Sequence, residues 1–100
     1  MSGFYYKIRL VDLNLSTNQL NKIRDYIREQ VRSVAAVDSG EFLRSLGTKW
    51  DSKTKILTVF STLEYSGFIE GGNKNYTHHK NKVRDTLVGM GLRLSPRRYY

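Results

Sequence analysis

His78 and His79 are the only histidines in the chain, and there is no cysteine. Neighbouring residues on a helix or strand point in different directions, so this pair does not converge on one metal ion. No carboxylate stands beside it to complete a ligand set. The pair reads as the polar start of a helix. The carboxylates Asp38, Glu41, Glu64 and Glu70 show no spacing suited to paired acid and base work. Asp38 and Glu41 fit better as helix-start residues, where the macrodipole favours negative charge. No Ser/His/Asp order with an elbow of glycines occurs, and Gly71-Gly72 lacks the lysine and spacing of a phosphate loop. The sequence therefore assigns no catalytic residue, no metal ligand and no cofactor, and the chain is expected not to be an enzyme.

What remains is the chemistry of binding. Pro96-Arg97-Arg98-Tyr99-Tyr100 joins cations to aromatic rings, a pairing that can clamp phosphates and stack on bases. Its plainer reading is a solvated terminus. Phe4-Tyr5-Tyr6 could present a ring from a strand, or be half of a core. Tyr65, Phe68 and Ile69, followed by Gly71-Gly72, form an aromatic patch at a turn. It either plugs the end of a sheet or anchors a subunit contact, since aromatic anchors are typical of interfaces.

These residues need elements to hold them. Phe4, Tyr6, Ile8 and Leu10 alternate with Tyr5, Lys7 and Arg9, which predicts a strand with one apolar face. Ser16-Thr17-Asn18-Gln19 has capping-box spacing. After it, Leu20, Ile23, Ile27, Val31 and Val34 recur at steps of three and four, predicting an amphipathic helix over about 17–36. A short helix is expected from an Asp38 cap to Gly47, using Phe42, Leu43 and Leu46. The segments around Thr48–Asp51 and Lys55–Leu63 read as a hairpin with its turn at Asp51–Thr54. Glu64–Gly72 reads as an aromatic turn or short helix, and 73–77 as a polar loop. His78–Met90 reads as a weaker helix with Val83, Leu87 and Met90 on one side, and Leu92–Leu94 as a short closing strand. The expected fold is α+β: a small antiparallel sheet, with the long amphipathic helix and a shorter C-terminal helix packed on one face.

One hundred residues make a single domain, here 1–100, with an extended basic tail at 92–100. Lys and Arg number 17 against 9 Asp and Glu, a net charge of +8. Residues 74–100 hold seven of the cations against Asp85 alone, a net +6. Such an excess attracts polyanions: nucleic acid, an acidic partner surface or an anionic membrane. No apolar run approaches the roughly 20 residues that span a bilayer, so no membrane partner is expected.

Three segments occur in a telling order: Val37-Asp38-Ser39-Gly40-Glu41-Phe42-Leu43-Arg44-Ser45-Leu46, a hairpin ending in Val59-Phe60-Ser61-Thr62-Leu63, and Glu64-Tyr65-Ser66-Gly67-Phe68-Ile69-Glu70-Gly71-Gly72. The set resembles the neck and tail-completion (head–tail joining) family of lambda-like long-tailed bacteriophages. The matching positions are Asp38, Ser39, Gly40, Leu43 and Ser45, then Tyr65, Ser66, Glu70 and Gly72, within roughly residues 17–90. Ser66 stands where alanine is common in that family, and the loop before the last helix lacks the usual proline.

The resemblance implies a structural virion protein, made in the host cytoplasm and built into the neck or tail. It implies a homo-oligomeric ring formed by repeating one head-to-tail contact, flanked by portal or connector proteins and tail proteins. Candidate subunit-contact residues are Tyr65, Phe68, Ile69, Glu70, Gly71, Gly72, Arg28 and Arg32. Candidate contacts to an acidic partner, or to DNA passing the lumen without sequence readout, are Lys80, Lys82, Arg84, Arg93, Arg97 and Arg98. The alternative is a small basic nucleic-acid-binding domain, which would bind short DNA or RNA as a monomer.

Overall fold

A computed structural model describes residues 3–11, 13–33, 39–72 and 80–100. The first strand, β1 (Phe4–Arg9), follows the alternation: Phe4, Tyr6 and Ile8 are buried while Lys7 and Arg9 are exposed. Helix α1 (Thr17–Arg32) opens on the capping box. Ser16 Oγ accepts from the Gln19 N–H at 3.2 Å, and Gln19 Oε1 accepts from the Ser16 N–H at 2.8 Å. Ile27 and Val31 are buried, with Leu20 and Ile23 packed beside them. The expected end of this helix at 34–36 lies outside the described residues.

Helix α2 (Ser39–Ser45) runs straight into β2 (Leu46–Asp51); its expected Asp38 cap lies outside the described residues. Gly47, expected to end the helix, is instead inside the strand. The Arg28 guanidinium does the terminating work, donating to the Arg44 carbonyl at 2.8 Å and the Leu46 carbonyl at 2.9 Å. The Arg44 carbonyl, in the last turn of α2, would otherwise lack a helical partner. Gly47 is used for space: a Cβ there would come within 2.8 Å of the Phe60 ring.

The hairpin closes with β3 (Ile56–Ser61), in the register Trp50↔Leu57 and Thr48↔Val59. Asp51 Oδ1 accepts from the Lys53 N–H at 2.9 Å and the Thr54 N–H at 3.4 Å. Those bonds hold its carboxyl below the usual range. Helix α3 (Ser66–Gly71) follows, then α4 (Lys82–Gly89), which buries Val83 and Leu87. Met90 does not join them, as the sequence reading expected, but is exposed just past the helix end. The chain turns there at Gly91, where φ is +84°, and Leu92 N–H reaches back to the Leu87 carbonyl.

The closing strand also falls later than expected. Residues 92–94 are not strand; β4 is Arg98–Tyr99, in the segment read as a basic tail. Ser95 already bonds β1, its N–H donating to the Lys7 carbonyl at 2.8 Å. Pro96 has no N–H to continue the ladder, so regular pairing begins beyond it. The sheet is antiparallel in the order β2-β3-β1-β4. That places β3 between β1 and β2, a β-α-β unit split by a third strand. Helix α1 lies over β2 and against α2 and α4. The core sits between these helices and one sheet face: Phe4, Tyr6, Ile8, Leu57 and Val59 from the sheet, Ile27, Val31, Phe42, Leu43, Ile69, Val83 and Leu87 from the helices. Among the described residues no helix covers the other face.

Candidate functional site

Glu70 is the centre of the segment that the sequence marks as a contact. Its side chain is completely buried, which corrects the expectation that it faces a neighbouring subunit. One carboxylate oxygen accepts from the Val83 N–H at 3.1 Å, and the other from the Arg84 N–H at 2.9 Å and the Tyr6 hydroxyl at 2.6 Å. The two amides are orphan donors in the first turn of α4, and Asn81, with φ +58°, offers no side-chain cap. A carboxylate from α3 thus caps α4, where a helix end favours negative charge. The Glu70 carbonyl also accepts from the Asn81 N–H at 2.8 Å.

The tail closes this cluster. Arg97 Nη1 donates to the Tyr6 hydroxyl at 3.0 Å and to Asn81 Oδ1 at 2.5 Å, and its Nε donates to the Tyr99 hydroxyl at 2.8 Å. Arg97 is therefore tied into the fold and is not a free cation on a solvated tail. Burial pushes the Glu70 carboxyl up to about 7, against the opposing pull of Tyr6, the two amides and Arg97. Burial and the nearby Glu70 charge raise the Tyr6 phenol, so it stays a donor. A carboxyl with raised affinity for protons can mark catalysis, but this one has no exposed surface through which to reach a substrate.

The remaining residues of the turn divide by exposure. Ile69 is buried and so is also withdrawn from any subunit contact; Phe68 is 38% exposed. Tyr65 is half-buried and its hydroxyl donates to Glu41 Oε2 at 2.9 Å. Gly71 lies under the tail, where a Cβ would meet the Tyr99 hydroxyl at 2.9 Å. Gly72 has φ +76°, and a Cβ on it would strike the Lys80 side chain. Arg28 faces inward to α2, while Arg32, Arg84, Arg93 and Arg98 are exposed and Lys82 is half-buried. Turn and tail are thus brought together around Glu70 by Arg97, while the exposed cations are scattered over α1, α4, β4 and the segment between α4 and β4.

A second framework joins the other resemblance-bearing segments. Ser45 Oγ and Ser61 Oγ lie 2.7 Å apart, and Ser66 Oγ donates to the Leu63 carbonyl at 2.7 Å. Phe42 and Leu43 enter the same core as Ile69.

On the helix-free sheet face the sequence offers only a ring from Phe4-Tyr5-Tyr6 and the stacking tyrosines of the tail; it does not join them to Phe60, Lys7 and Lys49. The cross-strand rows of this face follow from the register. Gly47, Phe60, Tyr5 and Arg98 form one row, and Lys49, Thr58 and Lys7 the next. Tyr100 packs on Tyr5, with ring centroids 5.1 Å apart. A cleft of about 510 Å³ lies among Tyr5, Lys7, Lys49, Thr58 and Tyr100. The signal available in sequence was the second half of each alternation, Tyr5-Lys7 and Thr58-Phe60, which a search for apolar faces passes over.

No group of three or more potential metal ligands occurs among the described residues, and none of their helices is long and apolar enough to cross a membrane. Comparison with known protein families, with curated proteins and with solved structures finds no match.

Proposed function

We propose that this chain is a structural subunit of the neck of a long-tailed bacteriophage, working as a homo-oligomeric ring between portal and tail. One observation carries the reading. The residues that bear the resemblance come from separate stretches, yet they are tied into internal hydrogen bonds: Tyr65 to Glu41, Ser45 to Ser61, and Glu70 capping α4. Spacing of that kind is what a shared fold requires.

A ring of identical subunits needs two different, complementary patches. Phe68 on α3 is an exposed ring with the exposed carboxylate of Glu64 one turn before it. On the other side of the sequence, Val88, Leu92, Leu94 and Pro96 line an apolar groove of about 590 Å³ flanked by Arg84 and Arg93. An aromatic knob beside a carboxylate suits an apolar groove beside two arginines, and a second copy of this chain is the occupant we assign. The adjacent portal, connector and tail proteins would stack above and below the ring, in the virion neck, after synthesis in the host cytoplasm.

The test is imaging of the purified protein and of virus particles by electron microscopy, with light scattering for mass. A closed ring is expected. Phe68→Ala should lose it without changing the melting temperature. Glu64→Arg and Arg93→Glu should each weaken assembly and restore it together. A chain that is solitary at every concentration and missing from particles overturns the reading.

A further inference from the structure

The helix-free sheet face goes beyond the ring. Four features coincide there. The central strands present Tyr5 and Phe60 directly opposite each other. Gly47, paired with Phe60, has no side chain, so the Phe60 ring occupies the space a Cβ would need. Tyr100 extends the aromatic surface as a ring 57% exposed against Tyr5. Two residues along the strands, about 7 Å away at 3.4 Å per residue, Lys49 and Lys7 flank Thr58 in register. Lys7 Nζ lies 5.8 Å from the Tyr5 ring centroid. Arg9 and Arg98 add exposed cations on β1 and β4.

Cations outnumber carboxylates on this face: Lys7, Lys49, Arg9 and Arg98 stand against Asp51, which lines the same cleft and accepts from the Lys53 and Thr54 amides. A protein interface would use such rings with mixed charge around them. A duplex would offer phosphates to the cations but no base faces to the rings, because its bases are stacked on one another. A single strand offers both at once: bases that stack on aromatic side chains and phosphates that pair with the flanking cations. The mouth is an open cleft and not a deep pocket, which suits a polymer that passes through.

We infer that this face, built on Tyr5, Phe60, Tyr100, Lys7 and Lys49, binds single-stranded nucleic acid with little sequence preference. Base stacking supplies the grip on Tyr100 and Tyr5. The lysines supply a salt-dependent share, since each neutralised phosphate releases counterions.

The experiment is fluorescence anisotropy of a labelled oligothymidylate of about ten nucleotides, within the site sizes of single-strand binders. The full chain is titrated at several salt concentrations. Binding is expected at low salt, with Tyr100→Ala weakening it roughly five- to a hundredfold, the worth of one stacked base. Lys7→Gln and Lys49→Gln should each flatten the slope of log K against log salt by about 0.7. Lys22→Gln, an exposed cation on α1, should leave both affinity and slope unchanged. Circular dichroism melts of each variant keep loss of fold separate from loss of binding. The inference is overturned if the oligonucleotide does not bind at low salt, if a duplex of equal length binds as well, or if Lys22→Gln acts like Lys7→Gln. Light scattering on the same samples separates this from the ring: a solitary chain that binds the oligonucleotide sinks only the neck assignment, and a ring that ignores it sinks only this one.

Discussion

Glu70 shows how one residue's position inverts its expected role. Read along the chain it is a charged residue in a glycine-rich turn, and such residues are usually on the surface. In the fold it is the cap of α4 and the acceptor for Tyr6. Its carboxyl binds protons up to about pH 7 in the folded chain, against an ordinary value of 4.5. Between those values the folded state holds a proton that the unfolded state has released. Stability must therefore fall as pH rises from about 4.5 to about 7 and level off above, by an amount on the order of 3 kcal/mol. Denaturant melts across that range measure it, and Glu70→Gln, which has no proton to lose, should remove the slope. A flat wild-type profile would show that the amides and Tyr6 hold the carboxylate charged throughout. Gly72 supplies a second test. With φ at +76° and ψ at 128°, outside the regions open to residues with a side chain, and with the Lys80 side chain against it, Gly72→Ala should cost roughly 1–3 kcal/mol, read as a drop in melting temperature.

At the scale of elements, the start of α1 and the end of α2 are stabilised by different means. Ser16 and Gln19 cap α1 from within four residues, so the cap is visible in the sequence; Ser16→Ala should cost about 1 kcal/mol. The end of α2 is satisfied by Arg28, which lies sixteen residues from Arg44 and eighteen from Leu46. No local pattern announces that. Arg28→Met keeps much of the aliphatic stem and removes the donors, and should destabilise the chain by about 1–3 kcal/mol. Hydrogen exchange should accelerate at α2 and the start of β2 more than at β1. An even acceleration throughout the sheet would mean that Arg28 acts by packing alone. The same contrast explains Gly47. Glycine after an apolar run is a fair helix stop, but here the Arg28 bonds end the helix, and the space beside Phe60 is what requires glycine.

At the scale of the whole molecule, the last four residues tie the fold shut. Arg97 reaches the Tyr6–Glu70 pair, Tyr99 covers Gly71, and the Tyr100 N–H donates to the Gly3 carbonyl at 3.0 Å. Deleting 97–100 removes one edge strand and the cation beside Glu70. For a domain of this size each kcal/mol lost lowers the melting temperature by about 4–8 °C, so the truncated chain should melt on the order of 10 °C lower by calorimetry. A tail that could be removed without that loss would be the solvated terminus the sequence suggests.

What the sequence determined by itself was the first strand, the long helix and the hairpin, with the buried sides of that strand and helix. Periods of 2 and 3.6, with the capping box at Ser16 and the hairpin turn at Asp51, act over a few residues, so the α+β fold with its helices on one face was legible. The tertiary structure decided the rest: that Glu70 and Ile69 lie inside, that Arg97 belongs to Tyr6 and Asn81, that β4 waits until after Pro96, and that Tyr5, Phe60, Lys7 and Lys49 share one open face. The physical reason is range. A buried charge is set by partners that packing delivers from distant positions, Tyr6 standing 64 residues from Glu70 and 91 from Arg97, and a surface is set by which strands become neighbours. Neither is written in the spacing of adjacent residues.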